Sequence, residues 1–269
     1  MPASLPQIVA ATRARVAESK RHAKLRALEQ AAEKHVPRGF RQALARRAGP
    51  AVIAELKKAS PSRGLIRADF DPEKLARELE GAGAAALSVL TDEEFFQGSL
   101  ENLRRASAVT RLPCLRKDFI VDEFQLLEAR ASSADAVLLI VAALSQSELT
   151  SLARRARDSA LDVLCEVHDE NELQRALDAG FDLIGVNNRD LRTFKVDIET
   201  AIRLAVLMPN NVVSVAESGI HTGQDMARLR AAGYRAFLIG ESLMKAESPG
   251  SALRNLLTEA GAAFVPAKA

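Results

Sequence analysis

The sequence predicts a (β/α)8 barrel of the TIM type with an N-terminal helical extension. From Ala51 onward, eight short apolar runs alternate with eight amphipathic stretches over about 220 residues, the pattern of a closed parallel barrel. No glycine-rich dinucleotide fingerprint follows an early strand, which disfavours the alternative, an open doubly wound sheet.

Strands are expected at 51–57, 84–90, 112–118, 135–141, 161–167, 182–188, 212–217 and 235–240. Helices are expected near 71–82, 99–109, 122–132, 146–159, 169–179, 198–207, 222–232 and 249–260. Asp71-Pro72 ahead of Glu73 is a helix start, with Pro at the first helical position. Gly180 and Gly233 fall where helix C-caps belong. Residues 1–50 read differently, as helices: Leu5, Ile8, Val9, Thr12 and Val16 share one face, then Leu25, Leu28, Ala31 and Ala32, then Phe40 and Leu44. Pro37 and Gly39 mark the break before the last of these. No Pro-rich or Gly/Ser-rich linker follows, so 1–50 is expected to pack on the 51–269 barrel as one structural unit.

Net charge is only +2, yet residues 1–50 hold 11 Lys/Arg against 3 Asp/Glu, so the remainder carries −6. The basic residues Arg13, Arg15, Lys20, Arg21, Lys24 and Arg26 interleave with apolar positions at helical spacing, without aromatic stacking residues. They read as a solvated helix face that biases the field toward an anionic ligand, with no nucleic acid as partner. Cys114 and Cys165 lie in apolar runs and give no disulfide framework. The four histidines are scattered, so no metal cluster is legible. The longest apolar run, 136–144, is too short to span a bilayer, and the N-terminus lacks a signal-peptide core. A soluble cytoplasmic protein without membrane contact is expected.

In such barrels the chemistry sits at the C-terminal strand ends. The first strand, in AVIAELKKASPSRGL, places Ile53, Glu55 and Lys57 on one face and Val52, Ala54 and Leu56 on the other. The second runs into SVLTDEEFFQGS, with Phe95 and Phe96 in an aromatic-poor chain. The third ends in Lys117 and Phe119, and the fourth without charge. The fifth sets Glu166 in two-residue alternation with Leu164 and Asp162. The sixth gives Asn187 and Arg189, the seventh Glu217, Ser218 and Gly219, the eighth Gly240 and Glu241. Singly, each charge fits a rim ion pair. Together at one end, they would shift one another's pKa values, as acid–base catalysis requires. Ser218-Gly219 and Gly240-Glu241, with a short helix expected after Gly240, suit a phosphate held by backbone amides, and Arg189 offers a counter-charge. Only the amide of Glu241 is expected to serve, its side chain facing away from the phosphate.

The segments AELKKASPSRG, SVLTDEEFFQGS, PCLRKDFIVDEFQ, IGVNNRDL, AESGI and FLIGESLM, in this order, resemble the indole-3-glycerol phosphate synthase family of tryptophan biosynthesis over essentially the whole chain. The resemblance implies ring closure, decarboxylation and dehydration of 1-(o-carboxyphenylamino)-1-deoxyribulose 5-phosphate, with no cofactor or metal, by a monomer. It implies Lys117 as general acid and Glu166 as base, with Glu55 assisting departure of the hydroxyl. Lys57 then holds the substrate carboxylate or phosphate, or acts as a second acid. Asn187 and Glu217 position hydroxyl and amino groups, and Phe96, Phe119 and Leu138 pack on the aromatic ring. Ser60 and part of the N-terminal segment close over the site. The rivals are another phosphate-binding barrel, such as phosphoribosylanthranilate isomerase, and a non-catalytic phosphometabolite binder.

Overall fold

The eight apolar runs become eight strands in a computed structural model that describes residues 3–263. These are β1 (Ala51–Leu56), β2 (Ala86–Leu90), β3 (Cys114–Lys117), β4 (Ala136–Ile140), β5 (Asp162–Val167), β6 (Leu183–Asn187), β7 (Val213–Glu217) and β8 (Ala236–Ile239). Each pairs in parallel with its sequence neighbours, and β1 pairs with both β2 and β8, so the sheet closes without an edge.

Helices follow the strands in turn: α4 (Pro72–Gly81), α5 (Leu100–Ala108), α6 (Phe124–Ala131), α7 (Gln146–Asp158), α8 (Glu170–Asp178), α9 (Glu199–Ala205), α10 (Gly223–Ala231) and α11 (Pro249–Ala263). The Asp71 carboxylate accepts the Glu73 N–H and so starts α4. Gly180 and Gly233 stop α8 and α10 with φ of +78° and +111°. A two-strand hairpin, Ala59–Ser60 with Gly64–Leu65, stands outside the sequence expectation. Its two-residue strands are too short for any periodic signal.

The alternation read from β1 holds. Val52, Ala54 and Leu56 join the outer core against the helices, while Ala51 and Ile53 join the inner one. In that inner core lie Phe40 and Leu44 of α3 (Phe40–Ala45), both essentially inaccessible to solvent. Burying each is worth about 1.5–3 kcal/mol, so α3 seals the barrel at its N-terminal end. Two further helices, α1 (Leu5–His22) and α2 (Leu25–Lys34), precede it. Ile8, Thr12 and Val16 of α1 are buried as the helical spacing requires. No residue of α2 is fully buried and Leu25 is 52% exposed, but the helix lies along α6 with Leu28, Ala31 and Ala32 half-buried, and Arg130 of α6 donates to the Ala32 and His35 carbonyls.

The basic face is solvated as expected at Arg13, Lys20, Arg21, Lys24 and Arg26, but three of its six cations also reach the barrel. Arg13 pairs with Glu148 at 2.8 Å, Arg15 with Asp92 at 3.0 Å and Lys20 with Asp122 at 2.9 Å. The +8 segment meets the acidic rim of a −6 barrel, and complementary charge orders the contact. At the opposite end Asp135 fixes the chain. Its Oδ1 accepts His35 Nε2 and the Arg38 N–H, and its Oδ2 accepts Arg38 Nη2 at 2.6 Å and the Cys114 N–H. Burial raises the Asp135 pKa, but His35 and Arg38 outweigh it and hold the carboxyl below its usual range. Its stabilisation is therefore present above the ordinary carboxylate range and lost as pH falls through the lowered value.

Asp135→Ala is expected to cost about 3–5 kcal/mol in urea unfolding at neutral pH, whereas a loss under about 1 kcal/mol would show that the extension is held by other contacts.

Candidate active site

The barrel arranges its inward residues in layers drawn from alternate strands. Ile53, Leu115, Leu164 and Val215, from β1, β3, β5 and β7, are all buried in the inner core. Two residues further along each of these strands stand Glu55, Lys117, Glu166 and Glu217. Period-two alternation therefore lifts one apolar layer into one charged layer at the C-terminal mouth.

Lys117 Nζ lies 3.1 Å from Glu166 Oε2 and 3.9 Å from Glu217 Oε2. Lys57 Nζ lies 2.7 Å from Glu55 Oε1. All three glutamates are buried, Glu166 at 1% exposure, so pairing has to offset a large loss of hydration. Burial works against charge on Lys117, but Glu166, Glu217 and Glu55 outweigh it and raise its pKa. Burial likewise opposes ionisation of Glu166, yet Lys117 and His168 hold its carboxyl well below the usual range. Burial and the Glu166 charge push Glu217 up to about 8, against the pull of Lys117. At neutral pH the layer thus holds a charged lysine, an ionised Glu166 and a neutral Glu217. Two carboxyl groups with separated pKa values are equipped for different jobs.

Space for these side chains comes from two glycines. A Cβ at Gly185 of β6 would lie 2.1 Å from Glu217 Oε1, and one at Gly240 would lie 2.4 Å from Glu55 Oε1. Sequence reading missed Gly185 altogether, because a strand glycine alone does not say what approaches it. At Gly240 the structure supplies a reason other than a phosphate turn.

One wall of the cavity is apolar. Phe96 ends a short helix, Glu93–Phe96, and its ring centroid stands 6.2 Å from that of Phe119. Leu138 and Ile140 of β4 and Leu238 of β8 complete it. Arg15 of α1 reaches Asp92, which caps the Phe96 helix, and lies 3.7 Å from Asp118, which precedes Phe119. The extension thereby fixes both loops that carry the aromatic rings. Ile8 of α1 also faces the cavity.

The opposite side is polar. Ser60, Asn187, Arg189, Ser218 and Glu241 line it, in a cavity of about 1030 Å³ of empty volume with its open mouth included. Arg189 Nη1 donates to the Phe194 carbonyl at 3.2 Å, and its Nη2 lies 3.9 Å from Glu241. Ser218 and Gly219 make a turn with φ of +65° and +76°. Gly219 and Gly240 adjoin the lining residues Ser218 and Glu241 without lining the cavity themselves. The expected short helix is present as Glu241–Lys245. Glu241 itself is among the residues that line the cavity. Lys245 and Arg63 pair with it at 2.6 and 3.2 Å, with Arg189 close by, which leaves the neighbourhood net cationic.

Every other sequence-predicted site residue lines this one cavity: Glu55, Lys57, Phe96, Lys117, Phe119, Leu138, Glu166, Asn187 and Glu217. Beyond Gly185, sequence reading missed Arg15, Asp92 and His168. Only His168 carried a local signal, two residues beyond Glu166 on the same strand face. Cys114 and Cys165 are buried away from the site, and burial pushes the Cys114 thiol up to about 12. Among the described residues, no three His, Cys, Asp or Glu side chains are grouped as a metal ion would need. Nor is any described helix long and apolar enough to cross a membrane.

Comparison with known proteins agrees with this geometry. The family model described as indole-3-glycerol phosphate synthase matches residues 5–256. The indole-3-glycerol phosphate synthase of Koribacter versatilis is 61% identical over 259 residues, covering 96% of this chain and 100% of that protein. That of Burkholderia vietnamiensis is 48% identical, covering 94% and 98%. Among solved structures, 3-hexulose-6-phosphate synthase from Salmonella typhimurium superposes with a TM-score of 0.64 at 12% identity, covering 80% of this chain and 100% of its own. Thiamine phosphate pyrophosphorylase from Pyrococcus furiosus gives 0.61 at 16%, covering 80% and 97%. At those identities they bear on the barrel alone.

Gly185→Ala is expected to push the Glu217 carboxylate aside and lower turnover by about 10²-fold while the circular dichroism spectrum is unchanged, since displacing a site group by about 1 Å costs that much. Wild-type turnover in this variant would show that Gly185 does not fix Glu217.

Proposed function

From the premise that this chain belongs to the indole-3-glycerol phosphate synthase family, we propose how its own residues carry the reaction. The protein is a carbon–carbon carboxy-lyase of tryptophan biosynthesis. It closes the pyrrole ring of 1-(o-carboxyphenylamino)-1-deoxyribulose 5-phosphate with loss of carbon dioxide and water. One observation carries the assignment of roles: Lys117 stands between Glu166 and Glu217 in a buried layer facing an aromatic wall.

The carboxyphenyl ring packs on Phe96, Phe119 and Leu138. The phosphate sits toward Arg189 and the turns at Ser218-Gly219 and Gly240-Glu241, where Arg63 and Lys245 offset Glu241. The Ser60 hairpin and α1 cover the bound substrate. Between its ends the ring carbon bearing the carboxylate attacks the ketone carbon, and Lys117 gives its proton to the ketone oxygen. Carbon–carbon bond formation leaves positive charge on the ring. Carbon dioxide then departs, and the bonding electrons return to the ring and restore its aromaticity.

Dehydration needs a second acid and a base. The Lys57–Glu55 pair supplies a proton to the departing hydroxyl, and Glu166 takes a proton from the adjacent methylene carbon. At 3.1 Å, Glu166 can return that proton to Lys117. One further proton comes from solvent to reset Lys57, which matches the carboxylate charge lost as carbon dioxide. Asn187 and the neutral Glu217 hydrogen-bond the substrate's hydroxyl and amino groups. All groups in this scheme come from a single chain, which supports action as a monomer with 1–50 and the barrel working as one unit. Two buried free thiols suit a cytoplasmic setting.

Lys117→Ala is expected to lower turnover by about 10²–10⁴-fold with the fold intact. The chain has no tryptophan and one tyrosine, so appearing indole fluorescence, with carbon dioxide release, reads the reaction directly. Near-wild-type turnover would remove Lys117 from the mechanism. Isomerised product without carbon dioxide would point to an isomerase.

A second expectation concerns pH. Glu217 must be neutral to donate, so activity should fall as pH rises through about 8, where it ionises beside Glu166. Glu217→Gln should lower activity and flatten that limb. An alkaline limb unchanged in Glu217→Gln would assign it to another group.

A further inference from the structure

The strand that carries Glu166 does not end with it. Two residues on, His168 returns to the same face, with its side chain 12% exposed. Its Nδ1 lies 2.9 Å from Glu172 Oε2, and its backbone N–H donates to the same oxygen at 2.9 Å. Glu172 is itself held, because its N–H donates at 2.9 Å to Asp169, the N-cap of α8. The start of the helix steers Glu172, and Glu172 steers the imidazole. The other ring nitrogen, Nε2, has no hydrogen-bond partner and points at Glu166 Oε1 from 3.4 Å.

Glu166 is therefore bracketed by two nitrogens, Lys117 on Oε2 and His168 on Oε1. The two are not equivalent. Lys117 borders the cavity and becomes a neutral amine once its proton has gone to the ketone oxygen. His168 is not among the residues that line the cavity, so it gives no proton to the substrate directly. Burial opposes its charge, but Glu166 and Glu172 outweigh it and push the imidazole up to about 10. Glu217 and Glu55 face the same layer from β7 and β1, Glu217 beside Lys117 and Glu55 paired with Lys57. Arg175 of α8 offers little in return, being bonded to the carbonyls of Val141 and Leu144.

We propose that His168, steered by Glu172, is a positioning residue: a second counter-cation that keeps Glu166 ionised and aimed while Lys117 is neutral. This rests on Glu166 being the base of the dehydration step. With His168 absent and Lys117 neutral, neither oxygen of Glu166 has a cation beside it at the moment it must accept a proton. Loss of a neighbouring positive charge raises a carboxyl pKa, so the inactive, protonated base then persists to higher pH.

The test is the pH dependence of kcat in His168→Gln, Glu172→Gln and Glu166→Gln, each checked for fold by circular dichroism. His168→Gln is expected to lower kcat more than it changes KM and to move the acid limb of the kcat profile up by about 1–3 pH units. Glu172→Gln, which leaves the imidazole in place with a neutral partner, should move the limb the same way by less. A merely structural role would lower thermal stability and leave the limb where it is. If Glu166→Gln is inactive while both other variants keep the wild-type limb and kcat, the role of His168 is overturned and that of Glu166 stands. If Glu166→Gln turns over normally, the base assignment fails and this inference with it. Should His168→Gln not fold, an unmoved limb in Glu172→Gln overturns the proposal alone.

Discussion

Burial of charge at the top of the barrel is the constraint from which the rest of the structure follows. Glu55, Lys117, Glu166 and Glu217 occupy one layer that solvent scarcely reaches. Isolated, each buried carboxylate would cost several kcal/mol and would neutralise instead. The barrel avoids this for Glu166 by placing a cation at each of its oxygens, and accepts it for Glu217, which stays protonated. That asymmetry leaves one carboxyl able to accept a proton and its neighbour able to donate a hydrogen bond. The apolar layer beneath, Ile53, Leu115, Leu164 and Val215, keeps water out and the geometry stiff.

The N-terminal extension answers a second electrostatic need. The barrel carries a surplus of acid, and part of it lies on the rim near the site, at Asp92, Asp118, Asp122 and Glu148. Left bare, these groups would repel a substrate that bears both a carboxylate and a phosphate. Arg13, Arg15 and Lys20 cover them, and Arg15 at the same time holds the two aromatic loops. At the other end of the barrel Arg38 and His35 close on Asp135, while Phe40 and Leu44 fill the floor. The extension thus grips the barrel at both ends, with α2 lying along α6 between them.

Room inside the barrel is the third term. β6 carries Gly185 where Glu217 must fit, since a Cβ there would collide with its carboxyl group. Just past β8, Gly240 does the same for Glu55. Here a missing side chain functions as much as a present one, because packing density in a small barrel leaves no slack for a methyl group.

Strand number, order and facing were legible in the sequence, as were the four members of the charged layer. Alternation of side chains is a property of the backbone itself, so a run such as AVIAEL declares which residues face inward before anything has folded. The aromatic wall was legible only through the family resemblance, which singled out Phe96 from its neighbour Phe95 and joined it to Phe119. What charge pairs with what was not. Glu241 paired with Arg63 and Lys245, and Arg15 found Asp92 77 residues away. His168 shared a strand face with Glu166 in the sequence, but its partner Glu172 comes from the following helix. Such pairings depend on how the strands stagger as the barrel closes and on where the extension lies, and those are decided by the whole packed chain. The sequence by itself determined which residues enter the barrel; the tertiary structure decided which of them neutralise one another, because electrostatic pairing acts through space.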